Sequence, residues 1–266
     1  MGSGSSQQLR LSPPLKWAGG KRWLVPLLRP LWLPYRQRRY VEPFSGGLGM
    51  ALGLGPAQAL LSDINPHVIG FYRHLQAGLE ITLPMANDRE LYYRHRRRFN
   101  ELLALGQGNT QEAASLFYYL NRTGFNGLCR FNHKGQFNVP FGRYKTITYR
   151  RTFAEYQDRF RDWQFQNGDF ATLDLDPDDF VYGDPPYDVE FRQYSQGGFS
   201  WQDQVRTAEW LSRHRGPVLL SNQATPRIME LYEKLGFQLR LVQGPRLISC
   251  TGERQPAWEV LAWRHL

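Results

Sequence analysis

Asp184-Pro185-Pro186-Tyr187 sets a carboxylate, two prolyl carbonyls and an aromatic ring in four consecutive residues. Together they suit a planar base with an exocyclic amine. The carboxylate and a carbonyl accept hydrogen bonds from the –NH2, and the ring stacks on the base. The same four residues also compose an ordinary turn from strand to loop, so their companions decide between the readings.

The first companion is Phe44-Ser45-Gly46-Gly47, which follows Tyr40-Val41-Glu42 and precedes a helix beginning near Leu48 to Met50. Glycines at such a turn let a ligand approach the backbone at a helix start. Asp63 ends the next strand, Ala59 to Ser62, 17 residues beyond Gly46, where an acid accepts hydrogen bonds from ribose hydroxyls. Asp169, after another strand end at Phe165 to Asn167, is a second candidate contact for the same ligand. The glycines do not spell G-x-G-x-x-G and no G-x-x-x-x-G-K-[ST] occurs, so a nucleoside cofactor is expected rather than a dinucleotide or ATP.

These residues need a sheet to bring them together. Phe180 to Gly183 reads as a buried strand, and two prolines after it force the backbone out of the sheet at its carboxyl edge. Pro217 to Asn222 is another buried strand, followed by a helix around Pro226 to Leu235. Asn65 caps a helix with Pro66 at its first position and Gly78 at its end. Phe237 to Val242 and Ala257 to Trp263 alternate and pair as a closing antiparallel hairpin. Between them the pattern is helical from about Asp88 to Leu120, then without period from Asn121 to Tyr144. One doubly wound α/β sheet, interrupted by a module from His67 to Arg151, accounts for this order.

That module is basic. From Arg89 to Arg151 there are twelve Lys/Arg and three acids, within a chain of 266 residues and net charge +9. Such a section could face a polyanion, although Arg94, Arg96, Arg97 and Arg98 also fit a solvated helix face. Two cysteines, Cys129 and Cys250, and scattered histidines predict neither a disulfide framework nor a metal site. No apolar run is long enough to span a membrane, and Met1 to Ser6 reads as a flexible linker without a signal peptide's apolar core. A reduced, cytoplasmic, metal-free protein is expected.

Leu15-Lys16-Trp17-Ala18-Gly19-Gly20-Lys21 completes a pattern with Glu42-Pro43-Phe44, Ser62-Asp63-Ile64-Asn65 and Asp184 to Tyr187. With Asn121 to Asn132 and Phe137 to Tyr144, it resembles the DNA adenine methylase (Dam) family from Leu15 to about Trp263. The resemblance implies an S-adenosyl-L-methionine-dependent N6-adenine methyltransferase acting on double-stranded DNA as a monomer in a bacterial or phage-infected cell. It implies a Rossmann-like methyltransferase sheet with helices on both faces, interrupted by a mainly helical target-recognition insert carrying a β-hairpin. The corresponding division is 8–66 and 152–266 for the catalytic domain and 67–151 for the insert.

By resemblance, Trp17, Lys21, Asp63 and Asp184 contact the cofactor or lie beside it, and Phe44, Ser45 and Gly46 form its pocket wall. Asp184, Pro185 and Tyr187 are the catalytic set. Lys16, Leu128, Arg130 and Pro140 match base-reading positions, Phe125 and Asn126 match positions that wedge into the base stack, and Arg143 matches a phosphate contact. The expected site is GATC. Leu48 stands where the family usually has glycine, and the segment 188–199, expected to cover the target base, is shorter than in close relatives. An N4-cytosine methyltransferase, a protein or RNA amine methyltransferase, and a catalytically silent DNA-binding protein remain alternatives.

Overall fold

The computed structural model describes residues 11–188, 198–244 and 257–266. Seven strands form one sheet: β1 Tyr40–Glu42, β2 Ala59–Asp63, β3 Trp163–Asn167, β4 Phe180–Gly183, β5 Val218–Gln223, β6 Gln238–Gly244 and β7 Ala257–Arg264. Their order is β3-β2-β1-β4-β5-β7-β6. The first five are parallel, and β7 runs antiparallel to both β5 and β6. The order reverses direction between β1 and β4, so the carboxyl ends of those two strands open a crevice.

Alternate residues of the central strands face opposite cores. Tyr40, Phe180 and Tyr182 belong to one cluster, and Val41, Val181 and Val218 to the other. The second face is covered by α7, Trp201–Ser212, and α8, Pro226–Lys234. The first is covered by α1, Val25–Trp32; α2, Gly49–Leu54; α3, Pro66–Gln76; and α6, Ala154–Phe160. Asn65 caps α3 by accepting from the His67 N–H with Pro66 at the first helical position, as its sequence predicts.

The helical pattern from Asp88 resolves into two helices, α4 Arg89–Ala104 and α5 Gln111–Thr123. They are separated by the Gly106-Gln107-Gly108-Asn109 turn, and Asp88 and Thr110 cap them by accepting from the Leu91 and Ala113 amides. Their core is continuous with that of the sheet. Phe71 of α3 stacks on Tyr118 of α5, with ring centres 5.5 Å apart and planes 6° from parallel. The aperiodic segment after α5 is held by isolated antiparallel bridges, Gly124 to Phe141 and Phe131 to Phe137, so the expected hairpin is a minimal one.

Candidate active site

The glycine turn is fixed from several directions. The Ser45 N–H donates to the Ser62 carbonyl at 2.8 Å, and the Tyr72 hydroxyl donates to the Gly46 carbonyl at 2.7 Å. The Gly46 N–H donates to Asp63 Oδ2 at 3.0 Å, and the Asn65 N–H to Asp63 Oδ1 at 2.8 Å. Asp63 therefore braces the turn besides lining the cavity. Burial pushes its carboxyl up, against the two backbone N–H groups that favour the charged form. Trp17 lies on the turn: a Cβ added to Gly46 would sit 2.5 Å from Trp17 Nε1, and one on Gly47 2.6 Å from Trp17 Cβ. Both glycines are thus required by close approach, φ of +43° at Gly46 adding to the demand there. Leu48 caps α2 with φ 60° and ψ 27°, the left-handed conformation that a glycine would adopt without strain.

Asp184 leaves the end of β4 into a dense polar cluster. Ser221 of β5 donates to its Oδ1 at 2.8 Å, and Ser221 Oγ lies 2.7 Å from the Tyr182 hydroxyl. Lys21 Nζ is 3.9 Å from Asp184 Oδ1 and 3.3 Å from Oε2 of Glu259, a β7 residue. The Tyr187 hydroxyl donates to the same Glu259 oxygen at 2.6 Å, and Lys21 Nζ lies 4.0 Å from the centre of the Tyr187 ring. Burial raises the Asp184 carboxyl to about 7, with Lys21 and the Ser221 hydroxyl opposing and Glu259 reinforcing the rise. Glu42, at the end of β1, accepts from the Tyr40 hydroxyl at 3.2 Å and is pushed well above the usual carboxylate range by burial.

The Pro-Pro turn is held from outside. Gln204 of α7 donates to the Pro186 carbonyl at 2.6 Å, and Asn222 donates to Gln204 Oε1 at 3.0 Å. No donor among the described residues takes the Pro185 carbonyl.

A cavity of about 650 Å³ joins these groups, lined by the 17–21 segment, the glycine turn, Asp63, Asp169 and Asp184 to Tyr187. Phe44, Phe170 and Phe199 form an aromatic wall, with Phe44 5.3 Å from Phe170 and 5.7 Å from Phe199. On the same wall, Ser45 Oγ is buried with no hydrogen-bond partner among the described residues. Asp169 sits at the rim, where Arg206 of α7 grips both carboxylate oxygens at 2.8 Å. That bidentate bond is the main cause of its lowered carboxyl pKa. The aromatic wall, the Ser45 hydroxyl, the bare glycine backbone and the carboxylates fit a nucleoside bearing a cationic group. Among the described residues, no group of three or more His, Cys, Asp or Glu could hold a metal ion.

The other expected residues lie in and beside the aperiodic segment after α5. The Phe125 N–H donates to the Pro140 carbonyl at 2.9 Å, and the Leu128 N–H to the Phe125 carbonyl at 3.1 Å. The Phe125 ring is 48% exposed, and Asn126 beside it has φ 52°. Arg130 donates to Asn138 Oδ1 at 2.8 Å, and Arg143 is exposed. Lys16 reaches the end of α5 from earlier in the chain: Asn121 bonds its backbone on both sides at 2.8 Å, and its Nζ donates to the Arg122 carbonyl at 3.1 Å. Burial, then Arg122, lowers its ammonium pKa. Of the expected covering segment 188–199, positions 189–197 lie outside the described residues.

Glu259, Ser221, Gln204, Asn222 and Arg206 were missed from the sequence. Each is an ordinary residue on a remote strand or helix, and only the tertiary fold carries them to the Asp184–Tyr187 turn or to Asp169.

A β6–β7 hairpin in which β7 alone is reversed, closing an otherwise parallel sheet above a crevice shared by a glycine turn and a carboxylate, defines a Rossmann-like methyltransferase. The family model described as D12 class N6 adenine-specific DNA methyltransferase matches residues 17–246, and the chain belongs to that family. It is 36% identical over 273 residues to a DNA adenine methylase of Vibrio cholerae, covering 93% of this chain and 94% of that protein. Identity to the Retron Ec67 DNA adenine methylase of Escherichia coli is 34% over 267 residues, covering 95% and 91%. Identity to Type II methyltransferase M1.LlaDCHI of Lactococcus lactis subsp. cremoris is 32% over 259 residues, covering 90% of each. The protein is an adenine-specific DNA methyltransferase, and its family and fold imply S-adenosyl-L-methionine as methyl donor.

Proposed function

We propose that this enzyme methylates N6 of an adenine rotated out of duplex DNA at a short site, GATC, using S-adenosyl-L-methionine bound in the cavity beside Asp184. The observation that carries this reading is the Asp184 carboxylate followed by a Pro185 carbonyl that no donor takes among the described residues, close to a Tyr187 ring anchored by its hydroxyl. When bound, the cofactor supplies an electrophilic methyl on a positively charged sulfonium. The Phe44 and Phe170 wall would pack against its flat base, Asp63 and Asp169 would accept from its polar hydrogens, and Ser45, Gly46, Trp17 and Lys21 would line the rest.

An amine conjugated to a purine is a poor nucleophile, because its lone pair is delocalised into the ring. Asp184 and Pro185, each accepting one amine hydrogen, favour a tetrahedral nitrogen and stabilise the positive charge that develops on it. As the N–C bond formed and the methyl's bond to sulfur broke, the nitrogen would shed one proton, which Asp184 is close enough to the amine to accept. A cationic cofactor nearby favours the ionised Asp184 needed beforehand. Tyr187 stacks on the base, and fixed placement supplies a large share of the acceleration.

Unpairing and unstacking the adenine costs a few kcal/mol. Phe125, exposed on the insert face, would fill the vacated stack, with Asn126 meeting the orphaned partner. Arg130 would read guanine by its fork and Leu128 and Pro140 a thymine methyl, while Lys16 adds a base contact and Arg143 a phosphate contact. Residues 67–151 thus serve as the target-recognition unit, and a DNA substrate places the work in the cytoplasmic nucleoid.

Tritium transfer from labelled cofactor into duplexes that carry GATC, or single-base changes of it, tests the reading. Label is expected in GATC duplexes, with loss at each changed base. Equal label in every duplex would refute the site, and none in any duplex would refute the activity. A 2-aminopurine at the target adenine should brighten on binding, and an unchanged signal would count against base extrusion.

A further inference from the structure

Glu259 belongs to no motif near the glycine turn or the Asp-Pro-Pro-Tyr turn. It is the third residue of β7, opposite Gln223 of β5. Because β7 runs antiparallel, its beginning lies at the carboxyl edge of the parallel strands, where the cavity opens. We propose that Glu259 is a positioning residue for methyl transfer, holding the Tyr187 ring and the Lys21 ammonium in register with Asp184. This rests on the function proposed above.

Its carboxylate is 7% exposed and meets two partners. The Tyr187 hydroxyl donates to Oε2 at 2.6 Å, while Lys21 Nζ lies 3.3 Å from Oε2 and donates to Oε1 at 3.4 Å. A hydrogen bond to a charged acceptor is about twice as strong as a neutral one. The Tyr187 ring leaves the main chain just after two prolines, so its hydroxyl is the end that needs tethering. Lys21 is at the same time 4.0 Å from the Tyr187 ring centre and 3.9 Å from Asp184 Oδ1. One carboxylate therefore fixes the stacking ring and the cation that faces the amine-accepting carboxylate. The neighbouring strand makes room for it: a Cβ on Gly244 of β6 would fall 2.7 Å from Glu259 Oε1.

A purely structural role would consist of neutralising a buried lysine. Positioning makes different demands on kinetics. A displacement of about 1 Å at a reacting group costs roughly 100-fold in rate. Glu259→Ala is expected to lower kcat by about that factor with the KM for DNA changed by less than about threefold. Glu259→Gln keeps an acceptor for the Tyr187 hydroxyl and should recover most of the turnover. It should also move the acid limb of the kcat profile to lower pH. Asp184 is faced by Lys21, Glu42, Ser221, Tyr182, Tyr187 and Glu259, and the substitution removes a negative charge from that set. Losing a nearby like charge lowers a carboxyl pKa.

The full-length enzyme would be assayed as wild type, Glu259→Ala, Glu259→Gln, Tyr187→Phe and the Glu259→Ala/Tyr187→Phe pair, with melting temperatures measured alongside. In the Tyr187→Phe background, where the tether is already gone, the Glu259→Ala loss should shrink to about 10-fold or less. Losses that simply multiply, a Glu259→Gln rate no better than Glu259→Ala, or an unmoved acid limb would overturn the proposal. Should Glu259→Ala fail to fold, Glu259→Gln alone and with Tyr187→Phe decides by rate and pH profile. A wild-type enzyme that does not methylate duplex DNA would instead sink the function on which the proposal rests.

Discussion

Burial of Asp184 works against stability. Its folded-state pKa is about 7 against an ordinary 3.8, so the folded protein binds this proton more tightly than the unfolded chain. Stability linked to this group therefore falls as pH rises from about 4 to about 7, and the full penalty is present above that window. Asp184→Asn removes the penalty. Its melting temperature should match or exceed wild type at pH 8, by more than at pH 5, while methyl transfer is lost. A variant less stable than wild type at pH 8 would contradict this accounting.

Asp184 and Tyr187 were legible in the sequence because two prolines mark the end of a buried strand and the tetrapeptide is contiguous. Asp63 was legible as a site residue, but its grip on the Gly46 and Asn65 amides was not. The Arg206 clamp on Asp169 was hidden for the same reason as Glu259. Such pairs lie far apart in the chain, and residue type alone does not announce them.

The second and third elements of the fold show how a local departure is tolerated. Leu48 takes a left-handed conformation at the start of α2, costing about 1–2 kcal/mol for a residue with a side chain. Its side chain is fully buried beside Met50, Ala51 and Leu52. Removing such a side chain costs about 3–5 kcal/mol. Leu48→Gly should thus destabilise by roughly 2 kcal/mol despite the easier backbone. Denaturant unfolding checks this, and a stabilised Leu48→Gly would mean the strain outweighs the burial.

Strands β1, β2, β4 and β5 and helices α3 and α8 were legible from short apolar runs and caps. Helices α1, α6 and α7 were not: α1 carries Pro26 and Pro30, α6 has seven residues, and α7 starts from a Ser200/Asp203 capping box beside an aperiodic stretch. The hairpin after α5 is held by two isolated bridges, Gly124 to Phe141 and Phe131 to Phe137, too little to leave a period-2 signature.

Across the whole molecule, net charge +9 overstates what is free to meet DNA. Arg96 donates to the Val139 carbonyl, Arg98 grips Glu112, Arg122 reaches the Thr148 carbonyl and Arg151 the Ile81 carbonyl. These arginines stiffen the insert, whereas Arg143, like Phe125, is exposed. Arg143→Ala should weaken binding equally on all sequences and reduce the salt slope of log affinity by about 1. Arg130→Ala should instead relax one base pair by about 1–3 kcal/mol. Titrations at several salt concentrations separate the two, and uniform weakening by Arg130→Ala would make it a phosphate contact.

The most direct test is nucleoside analysis of duplex DNA after incubation with labelled S-adenosyl-L-methionine, using wild type and Asp184→Ala. Wild type should yield N6-methyladenine as the sole labelled nucleoside and Asp184→Ala none. Label in N4-methylcytosine, or near-normal turnover by Asp184→Ala, would contradict the assignment of Asp184 as the acceptor that activates an adenine amine.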